Sequence, residues 1–81
     1  MPKPLKTPFA RAYEEIIDRL IRQRHAIGMT QTELGHAYGE DQSFISRVER
    51  RQGRRDVWEF VKWCRALEVE PAAVLADLPE D

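Results

Sequence analysis

The chain has 81 residues, a net charge of −1 and an apolar share of 42%. That length holds one small domain with a modest core, and that composition belongs to a globular chain, not a disordered one. No apolar run approaches a membrane span, and MPKPLK is too short and too polar for a targeting segment.

The opening residues 1–7 read as a flexible arm carrying Pro2, Pro4, Lys3 and Lys6. Thr7 followed by Pro8 looks like an N-cap with proline at the first helical position. A first helix is expected from about Pro8 to Ile27. Phe9, Tyr13, Ile16, Ile17, Leu20 and Ile27 form its apolar stripe, and Gly28 ends it. Thr30 and Glu33 then have capping-box spacing for a second helix, with Leu34 and Tyr38 on one face. Gly39 permits the left-handed turn that stops it, and Asp41 is a good N-cap for a third. In that helix Ile45 and Val48 point inward, leaving Gln42, Ser43, Ser46, Arg47 and Arg50 on the polar side.

A basic loop follows, Arg50 to Arg55. Asp56 and Glu59 repeat the capping-box spacing and start a fourth helix running to about Glu68. Its inward stripe is expected to be Val57, Phe60, Val61, Cys64 and Leu67, bordered by Trp63. Pro71 opens a short fifth helix carrying Val74, Leu75 and Leu78. No β-alternation, repeat or internal boundary appears. The expectation is an all-α fold of five helices, one domain over 8–78, and an acidic tail at 79–81.

Charge is divided along the chain. Residues 42–55 carry five arginines against one glutamate, whereas 56–81 carry Lys62 and Arg65 against seven acids. A local patch, not the total, meets phosphates. Two short helices joined by a tight turn, the second polar and arginine-rich on its free face, are the pattern of a helix-turn-helix. Gln42 has the groups to bond adenine at N6 and N7, and Arg47 those to bond guanine at O6 and N7. Ser43 suits bases and phosphates alike. Phe44 has two readings, contact with a thymine methyl or packing on the second helix. Arg50, Arg51, Arg54 and Arg55 suit phosphate contact. Lys3 and Lys6 read either as a minor-groove arm or as a disordered terminus.

Other chemistry finds little support. His25 and His36 lack ligand partners at metal spacing, so no metal and no cofactor is expected. The single Cys64 leaves no intrachain disulfide, lies on an apolar face and reads as core, which fits a reducing cytoplasm. No catalytic triad or paired carboxylates stand out, and no enzyme activity is expected. Trp58 lies off the inward stripe, and an exposed tryptophan points to a partner.

Several pieces at consistent spacing carry a family resemblance: Arg24 before Gly28, then MTQTEL, GEDQSFISRVE, RRDVWEF and RALEVEP. From Arg19 to Leu75 the chain resembles the Cro/repressor-type (Xre) helix-turn-helix family. The resemblance implies a compact five-helix lambda-repressor-like domain. It places Gln42, Ser43 and Arg47 at base-reading positions. It places Gln31, with Thr30 beside it, at the DNA backbone, and Ser46 near phosphate or the neighbouring helix. Arg24 and Glu49 match an ion pair between the first and third helices. Members commonly dimerise through the fourth and fifth helices, which makes Trp58, Val74, Leu75 and Leu78 interface candidates; Val74 and Leu75 serve equally well to close the monomer core.

Three positions depart from the family pattern. Gly35 stands where alanine is usual, at a cost of about 1 kcal/mol in helix propensity. Glu40 stands where an apolar residue tucks into the core, which points to a looser or rotated turn. Arg51 stands where glycine often ends the third helix, which points to a longer helix and a displaced stop at Gly53.

The reading is a sequence-specific transcriptional regulator acting as a repressor. It would bind double-stranded DNA in the major groove as a homodimer on a palindromic operator, as phage repressors and restriction–modification controllers do. The alternative is a DNA-binding antitoxin or other protein-interaction module, whose main partner is a protein held by the acidic tail and Trp58.

Overall fold

A computed structural model describes residues 10–79. The expected Thr7–Pro8 cap, Phe9, the arm with Lys3 and Lys6, and the last two residues of the acidic tail lie outside the described residues. Five helices follow in order: α1 Arg11–Ala26, α2 Gln31–Tyr38, α3 Gln42–Glu49, α4 Val57–Ala66 and α5 Pro71–Leu75. No strand occurs among the described residues, and no helix there is long and apolar enough to cross a membrane. The fold is all-α, as the sequence pattern predicts.

Local chemistry sets most helix starts. Thr30 Oγ1 accepts from the Glu33 amide at 3.0 Å while Glu33 accepts from the Thr30 amide at 2.8 Å. Those bonds hold the Glu33 carboxyl below its ordinary range. Asp56 and Glu59 form the same reciprocal pair at the start of α4. Asp41 Oδ1 accepts from the Phe44 amide at 2.9 Å and opens α3. Each such cap is worth about 1 kcal/mol.

Three helices close in the same way. At the ends of α1, α3 and α4 the amides of Met29, Gln52 and Val69 reach back to the carbonyls of Arg24, Arg47 and Cys64. This closure needs a left-handed residue, supplied by Gly28, Arg51 and Glu68. The expectation of a longer α3 is therefore corrected. The helix stops at Glu49 because Arg51 takes the left-handed conformation itself, at φ 61°. α4 likewise stops at Ala66, not Glu68, and α5 ends at Leu75, before Leu78.

The core gathers Ile17, Leu20, Leu34, Ile45, Val48, Trp63, Cys64, Leu67 and Val74. Burial pushes the Cys64 thiol up to about 11. Three stripe assignments need correcting. Val57 is 80% exposed, because it heads α4 beyond the packed length, whereas Trp63 is only 2% exposed and belongs to the core. Ile27 is 39% exposed, because α1 has already ended and the last inward place is taken by Arg24.

Polar side chains of α1 staple the far end of the chain. Arg19 donates from Nη1 to the carbonyl of Val74 at 2.8 Å and to that of Ala76. Its Nε meets Glu15 at 2.9 Å, and Arg22 joins the same carboxylate, so the two arginines hold Glu15 below the ordinary carboxylate range. Gln23 donates to the carbonyl of Leu67 at 2.9 Å. These bonds serve the open carbonyls left at the ends of α4 and α5.

The turn between α2 and α3 explains Gly35. Its carbonyl accepts from the amides of Gly39 at 2.7 Å and Glu40 at 2.9 Å. A Cβ at Gly35 would stand 2.6 Å from the Glu40 carbonyl oxygen. The glycine lets the turn lie directly across α2. Alanine restores roughly 1 kcal/mol of helix propensity, but the backbone must shift to admit it, at about 1–3 kcal/mol. Gly35→Ala is therefore expected to lower stability by a net of about 1 kcal/mol, and the thermal midpoint with it; a raised midpoint in a melting curve would show that the turn yields freely.

Candidate nucleic-acid interface

The polar face of α3 is fixed from inside. Arg24 of α1 donates from Nε to Glu49 Oε2 at 2.6 Å and from Nη2 to Glu49 Oε1 at 2.9 Å. Both side chains are 10% exposed. Arg24 Nη1 also donates to the Met29 carbonyl at 2.9 Å. Glu49 Oε1 accepts again from Gln31 Nε2 at 2.8 Å, and Gln31 Oε1 accepts from Gln42 Nε2 at 2.6 Å. Four side chains from α1, α2 and α3 thus form one continuous run. Gln42 stands at its exposed end. Its amide uses one N–H on Gln31 and keeps the other N–H and the oxygen, the pair that an adenine edge requires.

The opposite flank of α3 is held by aromatic packing. Phe44 stacks on Tyr38, with centroids 5.7 Å apart, and meets Trp63 at 6.0 Å. Tyr38 and Trp63 lie 4.9 Å apart. Of its two readings, Phe44 takes the packing one. Ser43 and Arg47 remain exposed between the two anchored flanks, Arg47 with its guanidinium 6.0 Å from the Phe44 ring centre.

The structure separates the four arginines of the basic loop. Arg50 is exposed and donates to Ser46 Oγ at 3.0 Å. Arg51 is exposed and meets Asp18 at 3.4 Å. Arg54 is exposed. Arg55 instead turns inward, where its guanidinium lies 5.3 Å from the Phe44 ring centre and 3.4 Å from Glu59. The loop is tied to α1 by Tyr13, whose hydroxyl donates to the Gly53 carbonyl at 3.3 Å. Burial raises the Tyr13 hydroxyl above its ordinary value.

The interface candidates divide as well. Trp58 is 58% exposed, with the Arg65 guanidinium 5.5 Å from its ring centre. Leu75 is exposed and Leu78 half-buried. Val74 is buried in the monomer core, so it takes the core reading and leaves the interface set. Among the described residues no group of three His, Cys, Asp or Glu gathers to hold a metal.

Sequence reasoning left out Arg19, Gln23 and the Arg24–His25 contact, in which Arg24 Nη2 lies 3.2 Å from His25 Nε2. The first two reach across 55 and 44 residues, and no local spacing marks them. The third joins neighbours, and the arginine's place at the last inward turn of α1 was its only signal.

A two-helix unit anchored on both flanks, with glutamine, serine and arginine left free between them, defines a helix-turn-helix domain. No family model and no curated protein matches the chain. Among solved structures it is similar to an XRE-family-like protein from Pseudomonas syringae pv. tomato, 40% identical with a TM-score of 0.76, over 80% of this chain and 79% of that one. It is also similar to the restriction–modification controller protein C.AhdI from Aeromonas hydrophila, 32% identical with a TM-score of 0.67, over 74% and 91%. A third likeness is to the clp gene regulator ClgR from C. glutamicum, 26% identical with a TM-score of 0.73, over 90% and 87%. The chain belongs to the XRE family of helix-turn-helix transcription regulators.

The run from Arg24 to Gln42 yields a paired prediction. Glu49→Ala leaves the Arg24 charge buried without its carboxylate and is expected to cost about 3–5 kcal/mol in urea unfolding. Gln31→Ala removes one half-buried hydrogen-bonding group and is expected to cost only about 1 kcal/mol. Equal losses in the two variants would show that the ion pair does not hold α3.

Proposed function

We propose that the protein is a sequence-specific DNA-binding regulator that acts as a repressor, as a homodimer on a palindromic operator. The observation that carries this reading is the Gln42 amide, held by the Gln31–Glu49–Arg24 run with one donor and one acceptor left for a base. A side chain fixed before binding loses little freedom on contact, which favours recognition over loose attraction. Gln42, Ser43 and Arg47 read the bases. Gln31, Thr30, Ser46, Arg50, Arg51 and Arg54 meet the backbone, while Arg55 steadies Phe44 beneath them.

The likeness to a controller protein and to a gene regulator supports a regulatory role. Two copies joined through Trp58, Leu75 and Leu78 would set two reading helices about 34 Å apart, one turn of duplex. A compact dimer covering an operator excludes other proteins by occupancy, which is repression by the simplest route. The family gives no reason to expect catalysis, and the setting is the cytoplasm. The exposure of Val57 and Trp58 keeps a second reading, a module whose main partner is another protein.

Selection of the purified protein against random duplexes near physiological salt is expected to enrich a palindrome. Gln42→Ala is then expected to weaken binding to that palindrome by about thirty-fold to more than ten-thousand-fold, since the dimer loses two bidentate base contacts worth roughly 1–3 kcal/mol each, with little change in melting temperature. Weak, salt-sensitive binding with no enriched sequence would sink the regulator reading. Separately, Trp58→Ser is expected to shift sedimentation from dimer to monomer; an unaltered dimer would place the interface elsewhere.

A further inference from the structure

A cavity of about 250 Å³ lies between α1, α4 and α5. Ile16, Ile17 and Leu20 of α1 and Phe60 and Trp63 of α4 form most of its wall. Val57 and Leu75, both exposed, complete it where it meets solvent. Its polar lining groups are Tyr13, Arg55 and Asp56, gathered where α1 meets the basic loop. Asp56 is committed to the cap of α4, its carboxylate accepting from the Glu59 amide at 2.8 Å. Arg55 is underused. Its Nη1 reaches Glu59 at 3.4 Å, long for a charged pair. Its buried Nε donates to no group among the described residues. A buried donor left unmet is costly. Around the Tyr13 hydroxyl the charge of Arg55 acts more strongly than that of Glu59, so this corner favours an anion.

We propose that this cavity is a binding site for a small apolar carboxylate, its hydrocarbon body against Ile16, Ile17 and Phe60 and its carboxylate at Arg55, beside Tyr13. The site stands apart from DNA binding and does not rest on it. Size, lining and charge set the ligand class. An apolar cavity of roughly 150 Å³ takes up benzene, so this one suits a body of about ten carbon atoms. The hydrocarbon wall penalises any molecule that is polar throughout, because its hydrogen bonds to water are not replaced. A guanidinium keeps its charge and matches the two oxygens of a carboxylate. The long Glu59 contact leaves it room to turn toward one. A second copy of the chain is the poorer occupant, although Leu75 lies on the face proposed for the dimer. The side chains such a copy would bring, Trp58, Leu75 and Leu78, offer Arg55 no acceptor.

The test titrates the whole chain, with isotope-labelled isoleucine methyls, with decanoate below its micelle threshold and follows the methyl signals by NMR. Decanoate is expected to shift Ile16 and Ile17 to saturation and to leave Ile27, at the far end of α1, unmoved. Decanol has the same body without the charge and is expected to bind about ten-fold more weakly. Arg55→Gln is expected to lose that preference and bind the two alike. Because Arg55 also braces Phe44, a melting curve checks that this variant is folded. Val57→Asp is the second variant. Val57 is 80% exposed and heads α4, where an acid suits the first turn. The added charge at the cavity mouth is expected to weaken decanoate about three-fold and to leave decanol unchanged. Methyls that do not respond to decanoate, or that all respond alike, overturn the inference. So do decanol binding as tight as decanoate, a preference that persists in folded Arg55→Gln, and unchanged decanoate binding in Val57→Asp. Ile16 and Ile17 shifts that grow with protein concentration alone and block decanoate put a second copy in the cavity and also overturn it.

Discussion

The buried pair between Arg24 and Glu49 is the constraint on which the exposed polar face of α3 depends. Two charges that are nearly dry gain from each other but lose water, and such a pair is often no more stabilising than apolar residues of the same size. Its contribution is direction. Ile45 and Val48 hold α3 against the core, yet apolar contact is non-directional and leaves a short helix free to roll. A guanidinium bonded to both oxygens of one carboxylate fixes the roll. The Glu49 oxygen that faces Arg24 Nη2 also accepts from Gln31, so the same geometry passes to Gln31 and then to Gln42.

What could be read from the sequence follows the range of each interaction. Caps act over three residues, and Thr30 with Glu33, Asp41, and Asp56 with Glu59 all do what their spacing predicts. The Arg24–Glu49 pair spans 25 residues and came from family resemblance, not from any local pattern. Periodicity marks an apolar face but not which edge of it is covered. Val57 and Trp63 both lie on the apolar side of α4, and only the packing of α2 and α3 decides that Trp63 is the one enclosed. Arg19 and Gln23 look like ordinary solvated residues of α1, because their partners are backbone carbonyls, which carry no sequence signature.

The departures from the family pattern have physical partners. Gly35 and Glu40 look unrelated in sequence, one a missing methyl and the other a misplaced charge. In the fold they belong to one feature, since the Glu40 carbonyl occupies the approach that a Gly35 Cβ would block, while the Glu40 side chain stays exposed. Arg51 departs differently. It adopts the backbone conformation that glycine would take, at a strain of roughly 1–2 kcal/mol, and so α3 ends where the family ends it while an additional exposed cation stands just past its C-terminal end.

An eight-residue helix such as α3 is about 12 Å long and too short to persist alone in water. Its order must come from its surroundings. The Asp41 cap supplies one end, the Arg24–Glu49 pair the other, and the Tyr38–Phe44–Trp63 cluster one flank. Arg55 belongs to this support, because a cation over the Phe44 ring and beside Glu59 braces the cluster from the loop side. Every group that holds α3 lies on its capped ends or inner flanks. The supports stop where Gln42, Ser43 and Arg47 begin, so that face can meet a partner without any of them being released.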